Sequence, residues 1–260
     1  MENETVGEAD MTVYVNKKIG LIVPSENTVV ETDFHRYLDC TGITVHTSRL
    51  RWKSGKAVSS LDILKSMNWE DLDLAAQQLA DANVDYIVYG CTSGSFVGGK
   101  KWDSEIINRI TKRTGIDSIT VSSAIISALN HLKIQKLSVV TPYPNEVNQA
   151  LIRYLDEHRK ETINLATFDE PDMVKHADIT PGSINRKART AVKKETDGIL
   201  IACAQLRAID VAQVLEEDLG LPVVTAIQAS IWAALKKIDK KATLNEGGSL
   251  LTNEKISEVL

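Results

Sequence analysis

The feature that most constrains this chain is that its strand-forming segments come in two matching sets. Lys18-Ile19-Gly20-Leu21-Ile22-Val23-Pro24 is echoed by Lys136-Leu137-Ser138-Val139-Val140-Thr141-Pro142. Asp85-Tyr86-Ile87-Val88-Tyr89-Gly90-Cys91 is echoed by Asp197-Gly198-Ile199-Leu200-Ile201-Ala202-Cys203. Farther on, Gly115-Ile116 leads to Thr120, Ala124 and Ala128, as Gly220-Leu221 leads to Thr225, Ala229 and Ala233. These apolar runs are short and unalternated, the pattern of strands buried on both faces of a parallel sheet. Helical stretches separate them, so the fold class is α/β: two similar lobes with pseudo-two-fold symmetry, each a parallel sheet flanked by helices. Residues 18–120 are expected to form the first lobe, completed by the helix region after about 225. Residues 121–225 form the second, and 1–17 a disordered or extended N-terminus. Cys91 and Cys203 each end a strand, so each lobe offers one thiol to a shared cleft. That suits chemistry on two faces of one small molecule.

Bulk properties narrow the partners. A chain of 260 residues with a formal charge of −5 and no basic block is a poor match for nucleic acid. The opening MENETVGEAD is acidic and polar, unlike a secretory leader, which makes the sequon at Asn3 meaningless. No apolar run approaches the roughly 20 residues that span a bilayer. A cytoplasmic location with free cysteines is expected. Cys40, near a helix end, reads as an inert core residue.

Along the chain, strands are expected at 18–23, 43–48, 85–90, 116–121, 136–141, 163–168, 198–202 and 222–225. Thr28 and Glu31 have capping-box spacing and mark a helix start after the loop Pro24-Ser25-Glu26-Asn27. Residues 49–60 read as a loop, 61–82 as a helix, 101–114 as another, followed by an Ala-rich helix to about 132. The tail after Leu235 reads as packing or subunit contact, leaving room for a homodimer or higher homo-oligomer. In open parallel sheets, ligands gather beyond the carboxyl ends of the strands. Function is therefore sought in loops 24–28, 91–99, 141–148 and 203–207.

Cys91-Thr92-Ser93-Gly94-Ser95-Phe96-Val97-Gly98-Gly99 sets hydroxyls and glycines beside a thiol, a cradle for a carboxylate. A following helix N-terminus would draw the thiol's pKa down from about 8.5. A polar turn that merely caps a helix accounts for the same residues. Gly94 to Lys100 fits GxxxxGK, but Lys101 stands where a P-loop needs Ser or Thr, and GxGxxG is absent, so nucleotide cofactors are not expected. Neither cysteine has a neighbour at zinc-ligand spacing, so no metal is expected. In the second cysteine loop, Ala204 offers a backbone N–H beside the thiol, and Arg207 reads as a helix-face charge. Tyr143, between Pro142 and Pro144, reads as a carboxylate donor or a rim aromatic.

At these loops the sequence resembles the Asp/Glu racemase superfamily, and within it the maleate cis–trans isomerase and arylmalonate decarboxylase branch. GLIVPSENTVVET at 20–32, CTSGSFVGG at 91–99, TPYPNEVN at 141–148 and ACAQLR at 202–207 carry the likeness. The resemblance implies Cys91 and Cys203 as catalytic thiols, with Asn27, Thr92, Ser93, Tyr143 and the Ala204 amide binding the substrate. It also implies a reaction without cofactors. The decarboxylase has glycine where Cys91 stands, so two thiols point toward an isomerase. Where the isomerase holds the far carboxylate with an asparagine, Pro171 to His176 offers Asp172 and His176, and which of them reaches the cleft is open. An ectoine-utilisation racemase-like protein fits the same pattern.

The expected activity is thus a two-cysteine isomerase or racemase acting on a small carboxylate or amino acid. The alternatives are a malonate-type decarboxylase using Cys203 and a two-lobed binding protein without turnover.

Overall fold

In the computed structural model, described for residues 17–51, 67–238 and 244–252, two four-stranded parallel sheets carry the chain. The first is built from β1 (Lys17–Pro24), β2 (Ile43–Leu50), β3 (Tyr86–Tyr89) and β4 (Ser118–Thr120) in the order β2-β1-β3-β4. The second repeats that order, β6-β5-β7-β8, with β5 (Lys136–Thr141), β6 (Glu161–Thr167), β7 (Gly198–Ile201) and β8 (Val223–Thr225). Every pairing is parallel. Tyr86–Tyr89 and Gly198–Ile201 are buried at every position, which explains why they lack alternation: helices cover both faces.

The helices start and stop where local chemistry directs. Asn68 caps α2 (Trp69–Asp81) after α1 (Val30–Leu38), accepting from the Glu70 amide at 3.1 Å. The short α3 (Thr92–Phe96) follows β3, and α4 (Gly99–Thr114) ends at Gly115 with φ 72°. Thr120 caps α5 (Val121–His131) through the Ser123 amide. In the second lobe, α6 (Asn145–Glu157), α7 (Pro181–Ala191) and α8 (Ile209–Leu219) follow, and α8 ends at Gly220 with φ 62°. Gly115 and Gly220 thus occupy the same left-handed helix stop in each half, the reason glycine recurs there. After β8 come α9 (Ala226–Ile238) and α10 (Ser249–Thr252).

The lobes meet through equivalent elements. The helix after β4 packs on the helix after β8, so α5 and α9 lie together, and α9 also touches β3 and β4. Because β2 and β3 flank β1, the crevice of the first sheet opens beyond β1 and β3; that of the second opens beyond β5 and β7. Those four strand ends carry the loops after Pro24, Gly90, Thr141 and Ala202.

Local differences from the sequence reading have physical causes. The capping box at Thr28 and Glu31 does not form. Asn27 does that work instead, its Oδ1 accepting from the Val29 and Val30 amides at 3.0 and 2.9 Å. Strand β4 is shorter than expected because Thr120 turns directly into the cap of α5. Expectations for the N-terminus with its sequon at Asn3, for 52–60 of the 49–60 loop and for 61–66 of the next helix lie outside the described residues. So do those for the Cys40 side chain and for much of the tail.

Candidate active site

One cavity of about 390 Å³, open mouth included, lies between the lobes and is lined by both Cys91 and Cys203. Pro24, Glu26 and Asn27 join the wall from the loop after β1, Thr92 and Ser93 from α3, and Tyr143 from the loop after β5. His176, Met173, Ala204 and Gln205 complete it. The five substrate-binding residues expected from sequence are therefore all brought to the same cavity as the two thiols. Of the two residues left open, His176 lines it. Asp172 is exposed, and its carboxylate instead caps the 3₁₀ turn Val174–Asp178 through the Val174 amide at 3.0 Å.

Cys91 stands at the N-cap of α3, and its Sγ accepts from the Gly94 amide at 3.3 Å. The Ser93 and Tyr89 hydroxyls also interact with the thiol, while Tyr89 donates its hydrogen to Met67 Sδ at 3.3 Å. The loop is tied down from beneath. Ser95 Oγ donates to the Cys91 carbonyl at 2.8 Å and shares a hydrogen bond with the Ser122 hydroxyl at 2.6 Å. From above, Trp102 Nε1 donates to the Gly94 carbonyl at 2.8 Å. Gly94 has no room for a side chain: a Cβ there would lie 2.9 Å from Cys91 Sγ and 3.0 Å from the Tyr89 oxygen.

The sulfur of Cys203 accepts from the Gln205 amide at 3.3 Å and lies 3.8 Å from His176 Nδ1. Tyr143 adds a hydrogen bond to the same sulfur. A row of polar groups crosses the cleft to reach it. The Ala204 amide donates to Thr92 Oγ1 at 2.9 Å, and the Tyr143 phenol interacts with both the Thr92 hydroxyl and Cys203. Burial holds the Tyr143 phenol far above its ordinary pKa, so it stays a donor.

Beside that chain, Asn27 Nδ2 donates to the Ala204 carbonyl, and Gln205 links the Thr28 amide to the Glu26 carbonyl, all at 3.1 Å. Thr92, Ala204 and Asn27, read from sequence as groups for a substrate carboxylate, thus also stitch the lobes to each other. Arg207 is exposed and spans to the Ala177 carbonyl at 3.2 Å, strapping the segment that carries His176.

One expectation is corrected. The helix N-terminus beside Cys91 does not bring its thiol toward neutrality: burial pushes it up to about 11, with the Gly94 amide, Ser93 and Tyr89 opposing. Burial pushes Cys203 further, to about 12, against the Tyr143 bond and backbone amides, with Cys91 across the cavity adding to the rise. In full burial, losing water costs a thiolate more than a few donors return. The P-loop reading fails for a physical reason too. The Lys100 amide, which would face a phosphate, donates to the Glu157 carboxylate at 2.6 Å.

Pro24, Glu26, Gly90, Met173 and Gln205 line the cavity without being assigned from sequence, His176 is left open there, and Tyr89 stands close to Cys91. Tyr89 lies inside a strand and reads as core, and nothing in its spacing shows its hydroxyl turning toward Cys91. Among the described residues no group of three or more His, Cys, Asp or Glu side chains could hold a metal ion, and no helix is long and apolar enough to cross a membrane.

Residues 19–251 match the sequence profile of the arylmalonate decarboxylase family. The chain belongs to that family. Its relatives there are enzymes. The maleate isomerase of Pseudomonas putida is 28% identical over 247 residues, covering 90% of this chain and 97% of that one. Among solved structures, a Pseudomonas putida maleate isomerase superposes with a TM-score of 0.84 at 25% identity, covering 91% of this chain and 98% of its own. A cysteine-to-serine variant of the Nocardia farcinica maleate cis–trans isomerase, carrying a covalently bound succinylcysteine intermediate, superposes with a TM-score of 0.85. It is 22% identical and covers 92% of this chain and 99% of its own, so it speaks for the fold.

Proposed function

We propose that the protein is a two-cysteine isomerase of a small carboxylic acid, with Cys91 and Cys203 acting on opposite faces of one bound substrate. The observation that carries this reading is the pair of thiols lining one cavity from opposite lobes. The reported cysteine adduct in the Nocardia farcinica relative supports sulfur as the reacting atom. In the racemase form, one thiolate takes the α-proton, the C–H electrons pass into an enediolate, and the opposite thiol returns a proton. In the cis–trans form, a thiolate adds to the double bond, the adduct rotates about the resulting single bond, and elimination restores the thiolate. In this reading the Ser93 and Thr92 hydroxyls and the Tyr143 phenol, which line the cavity, receive the developing enediolate charge, and each such donor contributes on the order of a hundredfold in rate.

The wall favours the racemase form. Glu26 lines the cavity, and none of its described lining residues is Lys or Arg. Burial, and then Asp172, raise the Glu26 pKa, so this face already resists further negative charge. A second carboxylate of a dianion is repelled there, whereas the ammonium group of an amino acid is attracted.

The test is α-proton exchange in deuterated water with a panel of small acids and amino acids, run alongside chiral analysis and cis–trans conversion. Cys91→Ser and Cys203→Ser are each expected to abolish turnover. Full activity in either variant would exclude the two-thiol scheme. Carbon dioxide release from a malonate that needs only Cys203 would assign the protein to decarboxylation instead.

A further inference from the structure

The two thiols differ in their surroundings: among the described residues, Cys203 has a base beside it and Cys91 does not. His176 Nε2 lies 2.8 Å from the Glu170 carbonyl oxygen, which can only accept, so Nε2 carries the ring hydrogen. With the ring neutral, Nδ1 presents a lone pair, and Nδ1 is the atom 3.8 Å from Cys203 Sγ. Burial favours that neutral ring, lowering its pKa against the opposing pull of Glu170 and Asp172. The ring is held on several sides. Glu170 is fixed by its amide to the Pro142 carbonyl at 2.8 Å, Arg207 straps Ala177, and the Tyr143 ring meets the imidazole edge-on at 5.9 Å. Around Cys91, by contrast, the neighbours are the Gly94 amide and the hydroxyls of Ser93 and Tyr89.

We propose that His176 is the proton partner of Cys203, taking up the proton of its thiol and returning it. The proposal rests on the two-thiol reading above and gives one of the two sulfurs a dedicated base. In the step, the Sγ–H bond of Cys203 breaks and an Nδ1–H bond forms on His176. The electron pair remains on sulfur, and net charge is unchanged. The resulting imidazolium faces Glu170 and Asp172, and these carboxylates stabilise it. Tyr143 and the Gln205 amide hold the thiolate. A 3.8 Å contact is long for proton transfer, and such contacts shorten when substrate closes the site.

The experiment measures iodoacetamide alkylation of each cysteine against pH, peptide by peptide, in the full chain and in its His176→Asn and His176→Gln variants. Cys203 is expected to react about a hundredfold more slowly near pH 7 in the variants, with its profile moved to higher pH. Cys91 is expected to react alike in all three, which reports an intact fold. A Cys203 profile unchanged by either substitution would overturn the proposal.

If the variants do not fold, nitrogen-15 spectra of the unsubstituted protein decide. The histidine that responds to Cys203→Ser must carry its hydrogen on Nε2, and a protonated Nδ1 in the neutral ring would overturn the assignment. Alkylation needs no substrate, so its failure leaves the two-thiol reading standing. Turnover that survives Cys91→Ser would retire that reading without touching the Cys203–His176 pair.

Discussion

The loops after β3 and β7 occupy equivalent places in the two lobes, yet they surround their cysteines differently. Cys91 is the N-cap of a helix, its sulfur accepts from an amide, and its other neighbours are the hydroxyls of Ser93 and Tyr89. Cys203 leads into a turn that precedes α8 by several residues, and it gains an imidazole nitrogen as well as donors. Duplication of the strand order places both sulfurs at one cavity, because a parallel sheet always delivers its strand ends to the same edge. What each sulfur does with a proton depends on the residues that follow. Shared geometry comes from the sheets, and chemical asymmetry comes from the loops.

The severest way to break the comparison is to remove one thiol at a time. Cys91→Ser and Cys203→Ser should each cost at least about a thousandfold in kcat/KM, since serine is a far weaker nucleophile and base at neutral pH. A large loss in one and a small loss in the other would reduce the pair to a single working cysteine.

A gentler test touches one side only. Gly94→Ala pushes a methyl against Cys91 Sγ and the Tyr89 hydroxyl, and displacing a reacting atom by about 1 Å costs about a hundredfold in rate. The expected result is slow turnover with Cys203 alkylation unchanged, read from kinetics and peptide mass spectrometry.

The bridge between the sides gives a smaller effect. Thr92→Val leaves the buried Ala204 amide without its acceptor, which should lower stability by about 1–3 kcal/mol in urea unfolding. The same substitution removes the hydroxyl that supports Tyr143, so turnover should fall with it. An unchanged unfolding midpoint would show that the lobes do not depend on this link.

The last test lies away from the cavity, where α1 meets α8, and leaves turnover untouched. Burial, then Asp210, raise the Asp33 carboxyl from 3.8 to about 7, while Arg36 and Arg207 oppose. A folded-state pKa raised above the unfolded value gives stability that is present below about 4 and lost as pH rises through about 7. Asp33→Asn should therefore raise the melting temperature at pH 8 and leave it nearly unchanged at pH 4. Equal shifts at both pH values would show that this carboxyl does not titrate across that range.

Much of this was readable in the residues themselves. Apolar runs such as Tyr86–Tyr89 and Gly198–Ile201 identify fully buried strands, and the left-handed stops at Gly115 and Gly220 show as matched glycines. The cavity wall from Asn27, Thr92, Ser93, Tyr143 and Ala204 follows from loop position together with family likeness. Other features depend on tertiary placement. His176 lies in an irregular segment between β6 and α7, and its pairing with Cys203 exists only because Glu170 and Arg207 fix that segment against the second sheet. The capping box at Thr28 lost to the Asn27 side chain, which takes the Val29 and Val30 amides while also reaching Ala204. The thiol pKa values could not be anticipated from a helix terminus, since their direction is decided by how completely the lobes close over the sulfurs.

The central claim is that one bound acid lies between two sulfurs. A crystal structure with a slowly reacting amino acid or carboxylate analogue measures this directly. The account predicts the reacting carbon within about 3.5 Å of both Cys91 Sγ and Cys203 Sγ, on opposite faces. A ligand seated against one sulfur alone, or outside the cavity between the lobes, would contradict it.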